Sequence, residues 1–211
     1  MNESTNYRLE TKKKIRSVAL KLFLKKGIRQ VKMDDIANEL SISKRTLYEL
    51  YETKEDLLMD AVKLQEELKH QKLVDSIKPT DDCIEILLKV IQLSYESITA
   101  TSPLFFDDLR NYPVILKYME DREAKNEEQN YNFFKKGEEE GYFLSKVNYP
   151  LVTKINKMVC DNMMATRVYK QYPQHEIFYT IIQLFFRSIC TLKGIERIDN
   201  FLASLPTQEY E

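Results

Sequence analysis

Between Ile15 and Phe23 the apolar side chains fall at Ile15, Val18, Ala19, Leu22 and Phe23, the i, i+3, i+4, i+7, i+8 spacing that lays one stripe along an α-helix. The same period returns along the chain, and no convincing period-2 run bounded by turn residues interrupts it. Only four Gly and six Pro occur in 211 residues, which leaves few places for turns and predicts an all-α fold. With 43% hydrophobic residues the chain can bury a core. Its length suits one large domain or a small one joined to a larger.

The period and the stop signals divide the chain into elements. A first helix is predicted at about 11–26, closed by Gly27. A second covers 33–40, with Met33, Ile36, Ala37 and Leu40 inward and Asp34 and Asp35 in the first turn, where the dipole favours them. Ser41-Ile42 makes a tight turn, and Ser43 caps a third helix ending near Tyr51. Thr53 and Asp56 form a capping box for a long fourth helix, which reaches about Ile77 before Lys78-Pro79.

Beyond it, a helix at 83–101 is apolar on most sides. A short helix follows Pro103, and a long one spans 113–140, stopped by Gly141, with Glu138 to Glu140 as a solvated acidic face. Helices at 150–170 and 174–193 come next, then a short one ending near Leu205. The helix at 174–193 has an apolar arc wider than one core contact needs; it is either fully buried or also meets a second subunit.

Charge is uneven. Residues 1–54 hold 13 Lys+Arg against 7 Asp+Glu, and the remainder holds 19 against 26. A basic head on an acidic body suggests a polyanion for the head alone, since charge attraction is screened beyond about 8 Å at physiological salt; lysines clustered on a solvated helix are the alternative. Three short helices, the last two joined by a tight turn, describe a helix-turn-helix whose second member enters the major groove. Lys44, Arg45 and Thr46 then project from the start of the third helix, next to the cap Ser43, while Ile42 and Leu47 pack inward. Arg45 can pair with guanine, Lys44 can reach guanine or phosphate, and Thr46 and Tyr48 offer hydroxyls. Lys54 stands in the first turn of the next helix, where free N–H groups also favour phosphate. Lys12 to Lys14 either track phosphate or solvate the first helix.

The stretch "VKMDDIANELSISKRTLYELYETKEDLL" resembles the DNA-binding region of the TetR family of bacterial transcriptional regulators. An Ile-Ala pair, a short turn, Ser-x-x-Thr-Leu-Tyr, an aromatic three residues later and Lys-Glu-x-Leu carry the likeness over about 15–58. Three positions depart from the pattern. Ser41 stands where the family usually has Gly. Lys32 stands where a Thr caps the second helix and touches phosphate; it can meet phosphate but cannot accept the capping bond. Leu50 replaces an aromatic or His used against phosphate.

The resemblance implies a DNA-binding domain at 1–54 and a ligand-binding and dimerisation domain at 55–211. It places Tyr51 in the core and implies a homodimer through the last two large helices, with Phe178, Ile182, Phe185 and Ile189 at the interface. It also implies a body cavity, for which Tyr95, Phe105, Phe106, Tyr118 and Met163 are candidates. Asn162, amid the apolar residues of 150–170, meets a ligand, a water or a symmetry mate, or is an ordinary satisfied core amide. No basic cluster in the body suggests an anion, so a small apolar or aromatic organic ligand is expected.

Cys83, Cys160 and Cys190 are widely spaced, and only His70 and His175 could assist them, so no metal site, cofactor or disulfide is expected. No nucleophile motif or phosphate loop points to an enzyme. No signal core or bilayer-length apolar run appears, which predicts a cytoplasmic protein without membrane partners. The function expected is a ligand-responsive regulator, by family default a repressor, binding a near-palindromic site on double-stranded DNA. The alternative is a helical interaction module that keeps the shape without specific DNA binding.

Overall fold

The computed structural model describes residues 3–205, and its regular elements there are helical. They are α1 (Glu3–Lys26), α2 (Met33–Glu39), α3 (Lys44–Leu50), α4 (Lys54–Ser76), α5 (Cys83–Thr99), α6 (Pro103–Leu109), α7 (Pro113–Lys125), α8 (Glu127–Glu139), α9 (Tyr149–Ala165), α10 (Gln174–Ile181) and α11 (Leu192–Ser204). The chain divides into two units. One runs up to Lys72 and includes Ala100–Asp121; the other comprises Leu73–Thr99 and the residues from Arg122 on.

In the first unit, Ile15, Ala19 and Phe23 of α1 are fully buried against Ile36 and Ala37 of α2, Leu47 of α3 and Leu57, Leu58 and Ala61 of α4. This is the stripe read from the spacing, with Val18 and Leu22 half-buried at its margin. α1 begins eight residues earlier than predicted, at Glu3 rather than 11. That stretch contains no helix breaker but also no apolar stripe, so periodicity alone does not reveal it. Phe105 and Leu109 of α6 join the same core. The Ser102 N–H donates to the Leu24 carbonyl at 2.7 Å, occupying one of the acceptors left open at the end of α1. Gly27 there has φ +85°, and a Cβ on it would stand 2.8 Å from Leu104 Cβ, so both the helix stop and the approach of α6 require glycine.

In the second unit, Cys83, Ile84, Leu87, Leu88 and Ile91 of α5 are buried with Phe178, Ile182 and Ile189. Tyr95 packs on Phe178 with ring centroids 5.5 Å apart. Phe134 stacks on Tyr149 at 4.6 Å and meets Phe143 edge-on at 5.6 Å.

Four expectations change here. The helix predicted at 113–140 is two, α7 and α8, divided at Asn126; from Glu120 to Asn130 only Ala124 is apolar, so no stripe holds a continuous rod. The helix predicted at 150–170 ends at Ala165, and Arg167 turns left-handed at φ +57° before a 3₁₀ turn at Val168–Lys170. The helix predicted at 174–193 passes through a π turn at Ile182–Phe186 and a 3₁₀ turn at Arg187–Ile189, then breaks at extended Cys190. There the backbone pairs elsewhere: Leu144 N–H donates to Ile189 O at 2.8 Å, and Thr191 N–H to Tyr142 O at 2.9 Å. Finally, Glu138 to Glu140 are not a solvated face. Only Glu139 is exposed, and Glu140 Oε2 accepts the Cys83 N–H at 2.7 Å, capping the start of α5.

Candidate nucleic-acid interface

α2 and α3 are joined by four residues whose geometry is set by one strained position. Ser41 has φ +53°, the left-handed region that favours glycine. Its N–H donates to Asn38 O at 3.1 Å, and the Ile42 N–H to Ala37 O at 3.0 Å, closing α2 with the chain already turned. Ser43 then caps α3: its Oγ accepts the Thr46 N–H at 3.0 Å and lies 2.8 Å from Thr46 Oγ1. At the start of α2, Asp35 Oδ2 accepts the Lys32 N–H at 2.7 Å, while the Lys32 side chain makes no capping bond and is exposed.

The seven residues of α3 sort by face. Leu47 is fully buried, Thr46 and Leu50 are half-buried, and Lys44, Arg45, Tyr48 and Glu49 are exposed beside Ser43. The Lys44 ammonium meets Asp34 of α2 at 2.5 Å, and the Arg45 Nε–H donates to Glu49 at 2.8 Å. The hydrogen bond and charge of each partner hold both cations firmly protonated, raising their pKa values. The structure thus gathers Ser43, Lys44, Arg45, Thr46 and Tyr48 on one short helix, with Lys32 at the head of its neighbour.

Lys54 is set apart from that group. Its ammonium turns inward to the Ile28 carbonyl and lies 5.9 Å from the centre of the Phe23 ring, and partial burial lowers its pKa. Behind α3, Tyr51 is buried and its hydroxyl donates to Asp60 at 2.8 Å, locking α3 to α4. Burial raises its pKa above the ordinary phenol range, as does the bond to Asp60. Three contributors escaped sequence reasoning: Asp34, Glu49 and Arg8, whose guanidinium donates to the Glu49 carbonyl at 3.0 Å. The i, i+4 spacing of Arg45 and Glu49 was the available signal for one of them.

The residues expected to hold a ligand divide between the two units. Phe105 is buried and Phe106 half-buried in the first, with their rings edge-to-face at 5.6 Å, and Tyr118 packs at the margin of the same core. Tyr95 and Met163 are half-buried in the second, and Asn162 is exposed. A cleft of about 350 Å³ in the first unit is lined by Arg29, Asp108, Asn111 and Tyr112, none of them among those candidates.

The expected interface residues are mostly covered within their own chain. Phe178, Ile182 and Ile189 fill the core of their own chain, and Phe185 is half-buried. The apolar side chains that do face outward are Leu151, Ile155 and Met158 on α9, and Tyr179 and Leu184 in and just after α10. Among the described residues no helix is long and apolar enough to cross a membrane.

Residues 15–61 match the family described as "Bacterial regulatory proteins, tetR family". No curated protein matches the sequence. Among solved structures, the chain resembles a TetR-family transcriptional regulator from Marinobacter aquaeolei VT8 (19% identity, 93% of this chain and 99% of that one, TM-score 0.70). It also resembles a transcriptional regulator from Saccharomonospora viridis in complex with choline (17%, 86% and 98%, TM-score 0.68). A third is the fatty acid degradation regulator FadR from Bacillus halodurans (17%, 82% and 93%, TM-score 0.63). At these identities the likeness is one of fold.

Proposed function

We propose that this chain, whose head at residues 15–61 matches the tetR family of bacterial regulatory proteins, is a ligand-responsive repressor binding a near-palindromic operator as a homodimer. The observation that carries the reading is the division of labour on α3. Leu47 and the following Tyr51 anchor it from behind, while Ser43, Lys44, Arg45 and Tyr48 stand outward from its first two turns. A helix of seven residues contributes little core, and its exposed groups are those that hydrogen-bond phosphates and base edges.

Binding is an exchange of partners. Lys44 leaves Asp34, a solvent-exposed pairing that holds little free energy, for a phosphate oxygen or guanine, and Arg45 offers its terminal nitrogens to guanine. Thr46 and Tyr48 add hydroxyl contacts, and Lys32 reaches phosphate from the start of α2. Lys54 serves at the start of α4 once its ammonium leaves the Ile28 carbonyl. The functional division is a DNA-binding domain at 1–54 and a sensing and dimerising domain at 55–211, acting in the cytoplasm.

A second copy of the chain covers the outward apolar faces, Leu151, Ile155 and Met158 on α9 and Tyr179 and Leu184 near α10. Twofold symmetry then sets two copies of α3 about 34–36 Å apart, one turn of the duplex. The ligand is a small apolar or aromatic organic molecule held in the aromatic-rich second unit, near Tyr95 and Met163. The choline held by one structural neighbour and the fatty acid degradation regulated by another support a small organic effector. The ligand acts by binding one arrangement of the dimer more tightly than the other.

Fluorescence anisotropy on duplex DNA from beside the gene tests the reading. Affinity is expected to fall steeply as salt rises, because phosphate contacts release counterions. Arg45→Ala is expected to weaken binding to the selected site by about tenfold or more. A protein that binds no duplex, or binds every duplex alike and independently of salt, is an interaction module and not a regulator.

A further inference from the structure

The outward side of α3 is not wholly cationic. Glu49 lies one turn beyond Arg45, is exposed, and accepts the Arg45 Nε–H on Oε1 at 2.8 Å. Its own backbone carbonyl accepts from the Arg8 guanidinium at 3.0 Å, so α1 holds the end of α3 that carries this carboxylate. A negative charge on a surface facing DNA is repelled by phosphate unless a donor on the DNA meets it.

The geometry supplies two uses for it. A guanidinium has five N–H donors in a fixed fork. When Nε–H is taken by Glu49, the terminal nitrogens remain as the outward pair, the arrangement that spans O6 and N7 of guanine. Oε1 is the oxygen engaged, which leaves Oε2 to accept an N4 amino proton from cytosine.

We propose that Glu49 is a specificity-determining residue of operator recognition: it orients Arg45 toward a guanine and itself reads a neighbouring cytosine. The inference rests on the DNA-binding reading above and adds to it a base preference for one position of each half-site. An i, i+4 pair serving only helix stability would hold Arg45 just as well but would leave the base preference independent of the residue at 49.

The test uses the full-length chain. Duplexes are selected from a random pool by the wild type, and every single-base variant of the selected half-site is then titrated with wild type, Glu49→Ala and Glu49→Gln. Thermal melts confirm that the variants are folded. The wild type is expected to prefer cytosine at one position by about tenfold. Glu49→Ala is expected to flatten that position and to weaken the adjoining guanine preference. Glu49→Gln is expected to move the preference from cytosine to adenine, whose N6 and N7 an amide can bridge. Base profiles unchanged in both folded variants overturn the inference and leave the DNA-binding reading intact. A wild type that enriches no sequence overturns that reading, and the inference with it.

Discussion

Asp108 accepts the backbone N–H of Arg29 at 2.7 Å through Oδ2, while its Oδ1 stands 3.4 Å from the Arg29 Nε. Asp108 is 6% exposed, and its carboxylate ties α6 to the loop that sets α2 against α1. Asp108→Ala leaves that N–H without an acceptor and is expected to cost about 1–3 kcal/mol of stability. Asp108→Asn keeps an oxygen and should lose less. Urea unfolding reads both, as a lower midpoint at unchanged slope. An unshifted midpoint in the alanine variant would mean that the loop is held by its other contacts alone.

Ser41 holds a left-handed conformation at φ +53° between α2 and α3. Glycine adopts that conformation without a Cβ penalty, so Ser41→Gly is expected to raise stability by about 0.5–1 kcal/mol. Loss of stability in that variant would show that the turn is not strained.

Tyr149 is 1% exposed, and its hydroxyl donates to the Leu144 carbonyl at 2.6 Å. Burial pushes its pKa up to about 12, with help from Glu138. An unfolded phenol titrates near pH 10. Between about pH 10 and 12 the folded chain therefore binds more protons than the unfolded one, and stability falls as pH rises through that window. Tyr149→Phe is expected to cost about 1–2 kcal/mol near neutral pH and to make the alkaline decline shallower. Chemical denaturation repeated from pH 8 to 12 measures both effects; parallel declines in the two proteins would assign the slope to other groups.

Met158 is 62% exposed on the outward face of α9, with Ile155 and Leu151 one and two turns before it. A carboxylate placed there would be desolvated against a second copy. Met158→Glu is expected to sediment as a monomer where the wild type sediments as a dimer, with unchanged helix content. Its affinity for a two-half-site duplex is expected to fall by about a hundredfold, since the second head is no longer tethered. A variant that remains dimeric places the interface on another face.

What was legible in the sequence was local. Ser43 as a cap, Thr53 with Asp56 as a capping box and Gly141 as a stop are decided by residues within one turn, and each is present in the structure. The break at Cys190 was not legible, because its cause is backbone pairing with Tyr142 and Leu144, nearly fifty residues away. Periodicity also does not tell whether an apolar face meets its own chain or another. Phe178 and Ile182 turned inward and Leu151 and Met158 outward, although all four sit at helical spacing. In the recognition segment the residue types named the chemistry, but the links of Lys44 to Asp34 and of Arg45 to Glu49 needed coordinates.

The central claim, that two copies of α3 enter successive major grooves on one face of a duplex, is tested most directly by hydroxyl-radical footprinting on the selected DNA. Two protected patches are expected, centred about 10 base pairs apart, and both are expected to be lost with Arg45→Ala. A single patch, or protection that survives that substitution, would contradict it.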